Sequence, residues 1–269
     1  MIELKYPVLL LHGLFYRDRY KRYWGRIPEF LRNEGVKVFL GGHDGSVSVE
    51  KNGEFLAGRI KEICRETGAE KVNIIGHCKG GLDARYAITR AGAAPYVASL
   101  TSLGVPHMGS MPLEKGLKKV PKWFLRALVR VLNAWFRLRG DTDPDVLAGA
   151  VDCTPSAAEK FNRETPDDPN VYYQSYAFVN PSFFITPILF PFHLIVSHEE
   201  GENDGLLAPC SAKWSNFKGI VRSNGRRGIS HCDVADWGRR PLTKKKGPGV
   251  SDILDFYRDL FTDLAARGF

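Results

Sequence analysis

The sequence predicts an α/β fold with a mostly parallel central sheet, in a single domain spanning residues 1–269 that carries a helical insertion at residues 111–150. Three observations support this. Short runs at residues 6–11, 36–40, 71–75 and 97–104 are apolar throughout or nearly so, the mark of strands covered on both faces. Helix-patterned stretches lie between them, and strand alternating with helix builds a parallel sheet. Finally, Val72-Asn73-Ile74-Ile75 runs into Gly76-His77-Cys78-Lys79-Gly80-Gly81 and then into the helix-forming Leu82-Asp83-Ala84-Arg85-Tyr86-Ala87, which reads as strand, sharp turn and helix.

The elements follow in order. Residues 6–11 form the first strand and end in His12-Gly13-Leu14, at the strand end where ligands gather in parallel sheets. Residues 20–33 repeat apolar side chains at helical spacing (Tyr23, Ile27, Phe30, Leu31) and stop at Asn33-Glu34-Gly35. The strand at 36–40 precedes a helix over 52–67 that ends at Gly68, and the helix after Cys78 extends to about residue 91. Beyond Pro121, the polar residues Lys122, Arg126, Arg130, Asn133 and Arg137 recur every three or four places among Trp123, Phe124, Leu125, Leu128, Val131, Leu132, Trp135 and Phe136, giving a helix with a narrow basic stripe and a wide apolar face. This is either a core helix with one charged edge or a lid over a hydrophobic site, and its place after the first half of the sheet favours the lid. Thr154 caps a short helix at 155–164. Residues 171–179 and 190–197 read as strand or buried loop around the proline-broken segment 180–187. An amphipathic helix at 251–266 closes the chain.

Composition narrows the function classes. No apolar run approaches the roughly 20 residues of a membrane span. The opening Met1-Ile2-Glu3-Leu4-Lys5 lacks the features of a secretory leader, so a cytoplasmic location is expected unless a leader has been removed. Five scattered cysteines without a C-x-x-C pair signal neither a disulfide framework nor a zinc site. The net charge of +8 is local, because residues 111–140 hold eight Lys and Arg against Glu114 alone. No nucleic-acid-binding motif accompanies it, so nucleic acid is not the expected partner.

Gly76-x-Cys78-x-Gly80 puts a thiol where a nucleophile elbow usually holds a serine hydroxyl, since the flanking glycines let strand and helix pass close to a strained central residue. A nucleophile needs a base and the base an orienting carboxylate, in the chain order nucleophile, acid, histidine. Of the downstream histidines only His231 lies late enough, in Gly228-Ile229-Ser230-His231-Cys232-Asp233. Asp204, on the polar turn Asn203-Asp204-Gly205, is the candidate acid, with Asp233 as its rival. The backbone N–H groups of Lys79 and Leu14 are the candidate oxyanion donors. Trp123, Phe124, Leu128 and Trp135 are the candidate substrate or lid contacts.

Residues 6–14, 72–87, 97–110 and Asn203-Asp204-Gly205-Leu206 resemble the Pseudomonas-type bacterial true lipases of the α/β-hydrolase superfamily. The likeness covers the first 110 residues well and residues 203–233 moderately. It implies hydrolysis of triacylglycerols or other carboxylic esters, with Cys78, Asp204 and His231 on the triad positions and Leu14 and Lys79 on the oxyanion positions. Those lipases carry serine in the elbow, so Cys78 marks either a natural thiol hydrolase or a replacement of serine. The secreted members also bind a structural calcium, and Asp233 matches one of its ligands. Trp237, however, replaces an amide ligand, and residues 181–198 contain no Asp or Glu. No cofactor is therefore expected. The expected partner is a lipid or ester substrate, with transient contact between the basic amphipathic helix and a lipid surface. A catalytically silent protein that binds lipid or a protein partner, and an acyltransferase or thioesterase, use the same residues and remain open at this stage.

Overall fold

The computed structural model describes residues 1–18, 23–181 and 189–269. The apolar runs of the first hundred residues all become strands. In chain order they give β1 (Val8–Leu11), α1 (Ile27–Asn33), β2 (Val38–Leu40), α2 (Val49–Thr67), β3 (Val72–His77), α3 (Lys79–Thr89) and β4 (Val97–Leu103). α4 (Met111–Lys119), α5 (Lys122–Leu138), α6 (Val146–Val151), α7 (Pro155–Glu164) and β5 (Tyr172–Phe178) follow. The chain finishes with α8 (Phe190–Glu199), α9 (Pro209–Ala212), β6 (Asn216–Val221), α10 (His231–Val234) and α11 (Ile253–Ala266).

The strands pair in the order β2-β1-β3-β4-β5-β6, all parallel. The chain leaves β1 for the edge strand β2 and returns on the other side of β1 as β3, so the direction of winding reverses between β1 and β3. The carboxyl ends of strands at such a reversal form a crevice. The loop after β1 and the turn after β3 therefore face one another.

Strand pleating divides the core. Val8 and Leu10 of β1 face one layer with Ile27 and Leu31 of α1 and Phe256, Tyr257, Leu260 and Phe261 of α11. Leu9 and Leu11 face the other, with Leu56, Ile60 and Ile63 of α2 and Ala84, Ala87 and Ile88 of α3. The two-residue period of a strand accounts for this split. Because both faces are covered, β1, β3 and β4 are buried along their whole length, and each buried Leu or Ile contributes about 1.5–3 kcal/mol.

The structure changes several expectations. Residues 190–197 form α8 rather than a strand or buried loop: Pro191 supplies no N–H for a ladder but suits the first turn of a helix. β6 had no sequence signal, since it is an edge strand with no buried residue and contains Lys218 and Gly219. The helix expected over 20–33 is shorter, since residues 23–26 form a turn and the helix begins at Ile27; residues 19–22 lie outside the described residues, as do residues 182–187 of the proline-broken segment. α5 forms as expected but is not a core helix. Phe136 is its one buried residue, and Trp123, Val131 and Leu138 are 73%, 65% and 88% exposed. No helix among the described residues is long and apolar enough to cross a membrane.

Candidate active site

The turn after β3 is built by close approaches that only glycine permits. A Cβ on Gly76 would lie 2.5 Å from the Cα of Gly81, and one on Gly80 would lie 2.5 Å from the carbonyl oxygen of His12. Between them Cys78 sits at φ 54° and ψ −133°, a backbone region costly to any residue with a side chain. The strain lifts the thiol into the crevice at the amino end of α3. Gly13 packs against it, since a Cβ there would fall 2.6 Å from Cys78 Cβ.

Asp204 and His231 come to the same place from separate loops. Asp204 Oδ1 accepts hydrogen bonds from the backbone N–H groups of Leu206 and Leu207, both at 2.9 Å, which leaves Oδ2 for His231 Nδ1 at 2.7 Å. The backbone N–H of His231 also donates to the Asp204 carbonyl at 2.8 Å. His231 opens α10, whose N-terminus is fixed by a capping box between Ser230 and Asp233. Gly104, at φ +54° after β4, leaves room for the pair: a Cβ there would lie 3.3 Å from Asp204 Oδ2.

With Nδ1 donating to Asp204, Nε2 of His231 is left toward Cys78, and it is buried without another partner. Burial works against an imidazolium, but the charge of Asp204 and then that of Cys78 raise the His231 pKa to about 10. Burial pushes the Cys78 thiol up, yet the His231 charge and hydrogen bond, with the N–H groups of Lys79 and Leu14, bring it below its ordinary value. The two backbone groups expected as oxyanion donors thus both favour the ionised sulfur.

A cavity of about 330 Å³ opens onto Cys78 and His231. Its walls are mostly apolar, including Phe15, Leu113, Leu189, Phe192, Leu206 and Leu207. Cys153 and Cys232 also line it, but burial raises both thiols, Cys232 to about 12.

The expected lid contacts need correction. None of Trp123, Phe124, Leu128 and Trp135 lines this cavity, and all four are exposed. α5 turns much of its apolar face outward, and Leu113 on α4 takes the place given to them. Trp135 instead borders a neighbouring hollow with Phe15, Phe136 and Trp237.

Asp233 is occupied as well. Its Oδ2 accepts from the Ser230 N–H and hydroxyl, and Arg227 holds Oδ1 at 2.6 Å, so this carboxylate does not fit a calcium ligand.

Sequence reasoning missed Tyr23 and His77. The Gly13 N–H donates to the Tyr23 hydroxyl at 2.9 Å, and that hydroxyl makes a short hydrogen bond to His77 Nδ1. The His77 ring lies 4.5 Å from that of His231. Burial, then the His231 charge, lowers the His77 pKa and keeps the ring neutral. His77 could have been noticed from its place beside Cys78, whereas nothing in the sequence links Tyr23 to Gly13.

A family model described as alpha/beta hydrolase fold matches residues 6–172. The chain belongs to the α/β-hydrolase family. It is 35% identical over 175 residues to a triacylglycerol lipase of Pseudarthrobacter phenanthrenivorans, covering 60% of this chain and 54% of that protein. A second such lipase, from Burkholderia plantarii, is also 35% identical over 175 residues, with 48% of its length covered. The chain thus spans about half the length of these two relatives. Triacylglycerol lipase 2 of Saccharomyces cerevisiae is 29% identical over 261 residues, covering 92% of this chain and 74% of the yeast protein. Among solved structures, the mature Bacillus licheniformis lipase BlEst2 superposes with a TM-score of 0.70 at 20% identity, over 95% of this chain and 91% of that one. The metagenomic carboxyl esterase MGS0156 gives 0.71 at 18% identity, over 98% and 75%. For this α/β hydrolase those two superpositions speak to the fold alone.

Proposed function

We propose that this α/β hydrolase cleaves hydrophobic carboxylic esters, with Cys78 as nucleophile, His231 as general base and acid, and Asp204 as the carboxylate that orients the ring. The observation that carries the reading is the line Asp204, His231, Cys78 at the mouth of an apolar cavity of about 330 Å³. The mostly apolar walls suit an acyl chain, and the triacylglycerol lipases among the relatives support an acylglycerol or similar ester.

In the proposed cycle the Cys78 thiolate attacks the ester carbonyl carbon, and its oxygen takes the negative charge between the N–H groups of Leu14 and Lys79. The alcohol leaves with the proton of the His231 imidazolium, and a thioester remains on Cys78. Neutral His231 then takes a proton from water, whose oxygen attacks the thioester. The thiolate is expelled and the free acid departs. Protein groups carry every step, and none runs through calcium.

We also read residues 111–150 as a lid within the single domain, because α4 supplies Leu113 to the cavity wall while α5 presents exposed apolar and basic side chains to a lipid surface. The resemblance to the Pseudomonas-type lipases supports that finer assignment.

The test follows p-nitrophenyl ester hydrolysis across chain lengths, with mass spectrometry for an acyl adduct. Expected are turnover of medium or long acyl chains, an adduct on Cys78 and a loss of at least about 10³-fold in Cys78→Ala. Unchanged activity in Cys78→Ala would overturn the mechanism, and no turnover of any acyl substrate would leave a silent lipid-binding protein.

A further inference from the structure

His231 stands on a short segment whose two carboxylates are each held by an arginine. α10 contributes only four residues of helix, too few to fix a side chain without outside support. The loop that leads into it, residues 225–230, is anchored beside the end of β5, where the Ile229 N–H donates to the Val179 carbonyl at 2.8 Å. Gly228, at φ +73°, passes so near that a Cβ there would lie 2.6 Å from the Val179 oxygen. Asp204 then holds the His231 backbone and ring, and Asp233 holds the turn on which both depend.

Asp233 Oδ2 accepts the Ser230 N–H at 3.0 Å and the Ser230 hydroxyl at 2.6 Å, and that hydroxyl accepts the Asp233 N–H at 3.3 Å. The reciprocal contacts close around His231. Asp233 is 6% exposed, so its charge needs a counter-ion inside the protein. Arg227 supplies it through Nη2, which donates to Oδ1 at 2.6 Å. The Arg227 side chain is mostly buried, its Nε has no partner, and Asp233 is its one polar contact among the described residues. This arginine therefore serves a single carboxylate. Beyond α10, Asp236 is held in the same manner, with both its oxygens 2.8 Å from the Arg26 guanidinium.

We propose that Arg227 is a positioning residue for the His231 base, a built-in cation standing in place of the calcium that the lipase resemblance implies at Asp233. Calcium needs six to eight oxygens, whereas a guanidinium is satisfied by the one oxygen that Ser230 leaves open. Arg227 touches neither Cys78 nor the cavity wall. It acts by keeping Asp233 ionised, because an unpaired carboxylate at that depth takes up a proton or draws in water and loosens its hold on Ser230. His231 then shifts against Cys78, and a misplacement of about 1 Å costs on the order of 10²-fold.

The activity arm rests on the hydrolysis proposed above, so a second readout needs no substrate. Ester turnover and the rate of iodoacetamide alkylation of Cys78 are measured at pH 7 in the unaltered protein, Arg227→Ala, Arg227→Lys, His231→Ala and Arg227→Ala/His231→Ala. Urea unfolding checks that each is folded, and Arg227→Gln, a neutral donor, carries the same test if Arg227→Ala is not. Arg227→Ala should lower kcat about ten- to a hundredfold with KM within about twofold, and guanidinium ion well below denaturing concentration should restore part of the loss. Alkylation should slow at least about threefold, since His231 holds the Cys78 thiol below its ordinary pKa. In the His231→Ala background the same change should slow it no further, as no imidazole is left to position. Arg227→Lys should keep most of both rates, and a chelator should leave the unaltered protein's turnover intact. Unchanged rates in Arg227→Ala, equal slowing with and without His231, or a chelator loss that Ca²⁺ reverses would each overturn the inference. The alkylation pattern without turnover of any ester would sink the hydrolase reading and leave the role of Arg227 standing.

Discussion

Around the elbow, Lys79, Asp83, Asp204 and His231 are at most 5% exposed, yet each has a partner of opposite charge. On α5, Trp123, Val131 and Leu138 stand 65–88% exposed beside the basic residues of the same helix. The first region buries charge where water is scarce and the second exposes apolar surface where water is plentiful. Both arrangements are costly for a protein concerned only with stability. In the first the cost is offset by pairing within the chain. In the second no such offset is visible, which is why we propose a lipid surface for α5.

The contrast is sharpest at Lys79 and Asp83, one turn apart on α3. Lys79 Nζ lies 2.5 Å from Asp83 Oδ1, and Asn52 donates to Oδ2 at 2.9 Å. Burial raises the Asp83 pKa, and the Lys79 charge opposes that rise. Removing one partner strands the other, so Lys79→Met should lower unfolding stability by about 3–5 kcal/mol in a urea titration. The double variant Lys79→Met/Asp83→Leu should recover part of it, since no buried charge is left unpaired and Asn52 keeps the Asp44 carbonyl as an acceptor. A loss below about 1 kcal/mol in the single variant would show that water reaches the pair.

A smaller effect concerns which thiol ionises first. Among the five cysteines Cys78 alone is held below its ordinary pKa, while burial raises Cys64, Cys153, Cys210 and Cys232. Iodoacetamide near neutral pH should therefore label Cys78 first. Its rate should fall as pH drops through the lowered Cys78 value. In His231→Ala burial acts with less opposition, and the half-maximal pH should move upward. A profile unchanged by His231→Ala would separate the two residues electrostatically.

The buried region was the more legible one in the sequence. Strained backbone needs particular residues, so Gly76, Gly80 and Gly13 announced the elbow and the facing loop, and chain order then selected Asp204 and His231. α5 was legible as a helix because its pattern repeats over five turns. What its apolar face touches was not, since periodicity fixes which side chains share a face and says nothing of what lies opposite. Trp123, Phe124, Leu128 and Trp135 were assigned to the cavity on that gap. Tyr23, Leu113 and Phe192 reach the cavity through tertiary packing, which leaves no local signature. β6 escaped because a half-exposed edge strand needs neither continuous apolarity nor strict alternation.

The smallest expected change in stability belongs to α5, and it separates the two regions most directly. Trp123, Val131 and Leu138 have little packing to lose, so replacing all three with serine should shift stability by no more than about 0.5 kcal/mol per site. If the face is made for lipid, the same triple variant should lose most of its co-sedimentation with anionic vesicles, because apolar insertion and basic attraction act together at an interface. Raising the salt should weaken the unaltered protein's binding by screening the eight Lys and Arg of residues 111–140. Hydrolysis of a water-soluble short-chain ester should stay near its original rate in the variant, since none of the three side chains lines the Cys78 cavity. A large stability loss together with unchanged vesicle binding would invert the comparison, making α5 a packed element of the fold.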